Sequence, residues 1–280
     1  PGSIFKIAQS LVLMQNKIIG PYQKINVSVR PSIMGDHAPS GAYDVTRAIQ
    51  LSSNTFYRLL MGRMIEQKTD KSQFIDARYG LRIWTESMNR LGLGVRLGID
   101  LPSEAKGLIP SVSFYDNVVG ENQWKYSNFR SVSIGQGEVQ MTPLQMANLA
   151  ALIANRGFYV RPHVIRTGND TLTPINSGID SIYFEPVIEG MQLVVDAGTA
   201  RRAYTKDIVI CGKTGTVENN KGKDHSVFIA FAPRENPKIA LACSVENSGN
   251  YGGTWAAPIV SLMIEQYLKG KLSEYAKRYK

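Results

Sequence analysis

Residues 1–14 read Pro1-Gly2-Ser3-Ile4-Phe5-Lys6-Ile7-Ala8-Gln9-Ser10-Leu11-Val12-Leu13-Met14, a turn running into a segment that is apolar nearly all the way round. A surface helix needs a polar face, so this segment predicts a helix buried inside a domain. Ser3 and Lys6 stand three residues apart and share one face of it. Lys6 is therefore drawn into the interior. A buried ammonium loses its water, its pKa falls, and the neutral amine can take a proton from a serine hydroxyl that is otherwise a poor nucleophile. A lone Ser-x-x-Lys is equally a helix start whose lysine snorkels to solvent. Its meaning depends on what the rest of the chain supplies.

The chain has 280 residues, of which 43% are hydrophobic, enough for one large domain or two lobes around one core. No window approaches the roughly 18 unbroken apolar residues of a membrane span, and no signal peptide opens the chain. Starting abruptly at a helix, it reads as a fragment whose targeting segment lies upstream. The net charge of +9 suits an anionic partner. Part of it sits in Lys269, Lys271, Lys277, Arg278 and Lys280, which reads as a solvated tail. No basic and aromatic stripe of the kind that grips nucleic acid is present. Cys211 and Cys243 fall in apolar, strand-like runs and are expected to be free thiols.

Along the chain, Lys24 to Arg30 alternates as a short strand or extended loop ended by Pro31, and Met34 to Ala42 is a loop. Asp44 caps a helix through Leu51, and a second helix resumes from Phe56, leaving Ser52-Ser53-Asn54 at the junction. Glu66 to Asp76 reads as a charged surface excursion, Leu81 to Leu91 as amphipathic helix, and Phe114 to Phe129 as a long aromatic loop. Thr142 caps and Pro143 opens a helix to Asn155. Glu185 begins another. Three strands follow, Ile208 to Val217, His225 to Ala232 and Lys238 to Glu246, the last two joined by a connector short enough for an antiparallel hairpin. Thr254 to Lys269 closes the chain as a helix.

Three elements thus stand in order at wide separation: Ser3-x-x-Lys6 on a buried helix, Ser52-x-Asn54 between helices, and Lys213-Thr214-Gly215 on a strand. This is the trio of penicillin-binding proteins and class A β-lactamases. With Gly98-Ile99-Asp100-Leu101-Pro102, Gly135-Gln136-Gly137-Glu138 and Met141-Thr142-Pro143-Leu144-Gln145-Met146-Ala147, the chain resembles a class B penicillin-binding protein across nearly its whole length. Val187-Ile188-Glu189-Gly190-Met191 and Asp224-His225-Ser226-Val227-Phe228 lean toward the elongation type over the septal type.

The resemblance implies an α/β (α+β) fold of the penicillin-binding transpeptidase and β-lactamase kind: an antiparallel sheet flanked by helices, with a helical lobe over about residues 20–150 and a sheet-containing lobe over 1–19 and 151–280. In that fold two strands and a helix precede the serine, so a sheet of three late strands with an open edge is expected here. It further implies Ser3 as nucleophile, Lys6 as its base, Ser52 as proton relay, Asn54 as substrate and lysine anchor, and Lys213 as a positive field. Thr214 and Thr216 would bind the substrate carboxylate, Gly215 would admit its backbone, and the N–H groups of Ser3 and Thr216 would form the oxyanion hole. The implied activity is cross-linking of peptidoglycan stem peptides, with β-lactams as inhibitors, at the periplasmic face of the inner membrane beside a glycan-polymerising partner. No cofactor is implied. Some elongation-type relatives hold zinc near the nucleophile, but Asp36-His37 with no cysteine before Cys211 is not a ligand set, and no metal is expected. His163, His225 and the tryptophans Trp84, Trp124 and Trp255 read as structural. The rival functions are a serine β-lactamase, for which no glutamate stands in a recognisable water-activating motif, and a non-catalytic penicillin sensor or scaffold.

Overall fold

The computed structural model describes residues 1–29, 35–165, 173–219, 221–249 and 251–273. A 3-10 turn, Gly2–Ile4, runs into helix α1 (Phe5–Gln15), whose residues from Phe5 to Met14 are all buried. The absence of a polar face in the sequence is thus matched by neighbours all round: α1 touches each of the next three helices. Strands β1 (Ile25–Val27) and β2 (Gly41–Tyr43) pair antiparallel. Arg30, Pro31 and Met34, expected to end the strand and begin the loop, lie outside the described residues.

Asp44 caps α2 (Val45–Gln50), its Oδ1 accepting the Arg47 N–H at 2.9 Å. Ser53 caps α3 (Asn54–Ile65), its Oγ accepting the Phe56 N–H at 3.3 Å. Such caps satisfy donors that the first helical turn leaves unpaired. Ser52 and Ser53 therefore lie between the two helices, as expected, while Asn54 is the first residue of α3. Helix α4 (Gln73–Arg90) begins earlier than the amphipathic stretch from Leu81 and takes in Asp76. The charged run had placed Asp76 on the surface, but it is buried. Its carboxylate accepts the N–H groups of Lys68 (2.9 Å) and Thr69 (2.8 Å) and the Thr69 hydroxyl (2.7 Å), which offsets the loss of water.

The aromatic stretch is also less loop-like than its sequence. Helix α5 (Val112–Val118) overlaps its start. Tyr115 then stacks on Phe129 at 4.7 Å between centroids, with Trp124 edge-on at 6.0 Å, forming a satellite core. Helix α6 (Pro143–Ala154) opens with a reciprocal box: Thr142 Oγ1 accepts the Gln145 N–H and Gln145 Oε1 accepts the Thr142 N–H. The hairpin of β3 (Phe158–Val160) and β4 (Pro174–Asn176) follows, of which β4 had no sequence signal. Helix α7 (Phe184–Ala197) leads to the main sheet.

That sheet has antiparallel order β5 (Cys211–Val217), β6 (His225–Ala232), β7 (Ile239–Val245), with Gly215 opposite Val227 and Phe228 opposite Cys243. Ser226 to Ala232 are all buried, so β6 is covered on both faces. Helix α6 lies against β6 and β7, α7 against β5, and α8 (Ala256–Lys269) against β6 and β7. The outer edge of β7 has no strand partner among the described residues. Lys277, Arg278 and Lys280 of the basic tail lie outside them, while Lys269 pairs with Asp207 at 2.9 Å. Among the described residues no helix is long and apolar enough to cross a membrane.

Candidate active site

Ser3 sits half-buried in the turn ahead of α1, clamped between two backbone segments. The Gly2 N–H donates to Gly135 O at 2.9 Å. On the other side, a Cβ on Gly2 (φ +58°) would lie 2.3 Å from Thr216 O, and one on Gly215 would lie 2.7 Å from Pro1 O. Only glycine permits this contact of β5 with the serine turn. Gly215 therefore faces Pro1 and Ile4 rather than the cleft where a substrate backbone would run. Gln136 Nε2 donates to Thr216 O at 3.1 Å, tying the 135–136 segment to the same strand.

Lys6 has no exposed surface. Its Nζ donates to Ser52 O (2.7 Å), Ser52 Oγ (3.2 Å) and Asn54 Oδ1 (2.5 Å). Lys213, equally enclosed, donates from across the cleft to Ser52 Oγ (3.0 Å) and Thr214 O (3.1 Å). Ser52 holds a left-handed backbone, φ +55°, a conformation uncommon outside glycine and asparagine. Burial, and next the charge of Lys213, hold Lys6 well below the ordinary lysine pKa. Burial lowers Lys213 to about 7.

Asp36 fixes the turn from behind. Its buried carboxylate accepts Ala38 N–H (3.1 Å), Ser53 Oγ–H (3.2 Å) and Thr55 N–H (2.6 Å). Burial alone would raise its pKa, but hydrogen bonds led by those from Thr55 outweigh that and hold it below its usual value. The carboxylate is thus occupied as an anchor at the start of α3. Among the described residues no group of three or more His, Cys, Asp or Glu is placed to hold a metal. Cys211 and Cys243 are free thiols, and burial pushes Cys211 up to about 12. His225 Nδ1 accepts the Asn247 N–H at 2.9 Å. Trp84 and Trp124 are fully buried, while Trp255 is half-exposed.

Ser3, Ser52, Asn54, Thr214 and Thr216 line one cleft of about 790 Å³, with Lys6 and Lys213 behind it. The sequence reading missed Thr199, whose Oγ1 meets Thr214 Oγ1 at 2.6 Å. It also missed the Tyr251–Gly253 wall, where the Gly252 N–H donates to Thr216 Oγ1 at 3.4 Å. Nothing local marks these residues, because they gain their role by meeting β5. Gln136 and Asp36 stood in segments that had been singled out, but without the parts they take here.

A serine at the foot of a buried helix, facing a Lys-Thr-Gly-Thr edge strand across a helical junction, defines the class of penicillin-recognising serine proteins. The chain belongs to the penicillin binding protein transpeptidase domain family, which matches residues 1–265. It is 31% identical over 252 residues to the peptidoglycan D,D-transpeptidase MrdA of Acinetobacter baumannii, covering 81% of this chain and 35% of that protein. The chain thus spans about a third of the length of that relative. Its fold matches PBP2 of Pseudomonas aeruginosa with a TM-score of 0.79 and 30% identity, over 98% of this chain and 60% of that one. It also matches a peptidoglycan synthase complex described as coordinating polymerization and crosslinking, with a TM-score of 0.80 and 25% identity, over 98% of this chain and 47% of the other.

Proposed function

We propose that this chain is the catalytic domain of an elongation-type peptidoglycan D,D-transpeptidase, one unit of two lobes with the active cleft between them. The observation that carries the reading is the pair of enclosed lysines converging on Ser52 Oγ, which lines one cleft with Ser3. Ser3 Oγ attacks the carbonyl carbon of a D-alanyl-D-alanine peptide bond as its proton passes to neutral Lys6. Asn54 fixes Lys6, and the N–H groups of Ser3 and Thr216 receive the developing oxyanion. Lys6 and Ser52 return the proton to the departing amine, releasing D-alanine and leaving an ester on Ser3. An amine of a second stem peptide then attacks the ester carbonyl, restoring the Ser3 hydroxyl. Lys213, Thr214 and Thr216 hold the donor carboxylate. A β-lactam carrying a carboxylate fits the same place and remains as the ester.

The resemblance implies a location at the periplasmic face of the inner membrane, and the match to a complex described as coordinating polymerization and crosslinking supports a glycan-polymerising partner. Labelling by a fluorescent penicillin, followed by intact-mass measurement, tests the nucleophile. One adduct is expected in the wild type and none in Ser3→Ala; an adduct retained in Ser3→Ala moves the nucleophile elsewhere. Glu218 lines the cleft two residues beyond Thr216, so hydrolysis must be measured as well. A long-lived adduct with nitrocefin supports the transferase, whereas rapid turnover supports a β-lactamase. Restored cell-wall cross-linking by the wild type and not by Ser3→Ala, in cells lacking the native protein, separates an enzyme from a sensor.

A further inference from the structure

The outer face of α3 carries a second cleft, of about 800 Å³, with no part in the chemistry above. It begins where the active cleft ends. Asn54 and Ser131 line the active cleft, and their chain neighbours Thr55 and Arg130 line the second one. Thr55, Arg58, Leu59, Gly62 and Arg63 recur at the spacing of a single helical face. Gly62 brings the Tyr126 ring close, since a Cβ there would be 3.0 Å from its edge, and Leu59 stays 39% exposed. The floor is therefore partly apolar, and its rim is cationic.

Among the described residues Arg58, Arg63, Arg130 and Lys71 make no ion pair and no side-chain hydrogen bond, although Arg58 is half-buried. The similarly half-buried Arg78, Arg156 and Arg234 all pair with acids. Glu66, Asp70 and Asp76 also line the cleft and offset part of this charge, but among the described residues none of them forms an ion pair, and Arg58, Arg63, Lys68, Lys71 and Arg130 outnumber them. Clustered unpaired guanidinium groups raise the local potential and favour an anion presented in planar, bidentate form.

We propose that this cleft is the acceptor-strand site, holding a carboxylate-bearing stretch of the second stem peptide while its amine reaches the Ser3 ester. The proposal rests on the transpeptidase reading. The donor carboxylate is already assigned to the Lys213 and Thr214 side, so the α3 side is where a second strand can approach without displacing it. The apolar floor at Leu59 and Tyr126 suits a peptide with small aliphatic side chains better than a bare anion.

The test uses the full-length protein, a soluble peptide donor, and two acceptor peptides that differ only in free versus amidated side carboxylates. In Arg58→Gln/Arg130→Gln the KM for the free-carboxylate acceptor should rise about five- to tenfold, as two part-exposed ion pairs are lost. The amidated acceptor should begin with the weaker KM, respond little to the substitutions, and show little salt dependence. Acylation by benzylpenicillin should be unchanged, which separates failure of this site from failure of the transpeptidase reading. Equal acceptor KM in the wild type and the double variant, with acylation intact, overturns the proposal. Should the double variant lose acylation through misfolding, exposed Arg63→Glu decides: a raised acceptor KM sustains the site and an unchanged one removes it. A free-carboxylate effect equalled by the amidated peptide would assign the cleft to apolar packing and also overturn it.

Discussion

Lys6 and Lys213 reach the same oxygen, Ser52 Oγ, at 3.2 and 3.0 Å, and neither is exposed. Two ammonium ions so placed repel each other, which disfavours charging both at once. Burial, and then the charge of Lys213, hold Lys6 down, and burial lowers Lys213 to about 7; the proposed mechanism gives Lys6 the role of base and Lys213 that of cation. The acylation rate should fall at low pH as Lys6 gains a proton, and fall above about 7 as Lys213 loses the charge that draws in a carboxylate. Lys213→Gln removes a charge that lowers Lys6, so the acidic limb should move to higher pH; a limb that stays in place argues against the coupling. Lys6→Arg puts a permanent cation in the position of the base, and penicillin acylation should drop about 10²- to 10⁴-fold. For stability the sign is fixed by Lys213: its folded pKa lies below the unfolded 10.5, so the unfolded chain binds more protons between about 7 and 10.5. Its contribution to stability therefore rises with pH across that window.

The start of α3 is held by Asp36, which satisfies the Thr55 N–H and the Ser53 hydroxyl and so orients Ser52 and Asn54. Asp36→Ala should cost about 1–3 kcal/mol, seen as a lower midpoint in chemical denaturation, with slower acylation because the Ser52 turn loosens. Because the folded pKa of Asp36 is depressed, its stabilisation is present above the ordinary carboxylate range and is lost as pH falls through the folded value. At β5, Gly215→Ala would press a methyl against Pro1 O and Ile4, and overpacking of this kind costs about 1–3 kcal/mol. The serine turn must then retreat from the strand, so acylation should fall while the helices keep their circular-dichroism signal. Elements whose signals are local were legible: the caps at Asp44 and Thr142, the buried α1, and β6. Asp76 and β4 were not, because the Asp76 carboxylate is buried only once the Lys68–Thr69 turn folds back onto the start of α4, and a three-residue strand has no periodicity to read.

At the scale of the molecule, the active cleft joins residues 3–6, 52–54, 136 and 213–216 around a core in which α2 lies along α7. An acyl group bound there bridges all of these segments, and a ligand held only by the folded state stabilises it. Benzylpenicillin should therefore raise the melting temperature of the wild type and leave Ser3→Ala unchanged, as differential scanning fluorimetry can measure. The net charge of +9 is not spread evenly in effect, since among the described residues Arg58, Arg63 and Arg130 gather in the second cleft without an ion pair while Arg78, Arg156 and Arg234 pair with acids. The half-buried edge strand β7 leaves backbone groups without a strand partner among the described residues, and such an edge invites pairing.

The sequence by itself determined the helices α1, α2, α3, α6, α7 and α8, the three strands of the main sheet, and the three short motifs, because burial periodicity, caps and Ser-x-x-Lys spacing act within a few residues. It determined the family for the same reason. Only the tertiary structure decided that Ser52 lies between two lysines, that Gly215 serves the serine turn, that Asp36 anchors α3, and that Thr199 and Gln136 meet β5. These depend on approaches between segments tens to hundreds of residues apart, where an exclusion of water or a backbone contact has no counterpart in local sequence. Ser3 and Lys6 carry the right chemistry in one turn of helix, but the depressed lysine pKa comes from burial and from a charge 207 residues further along the chain.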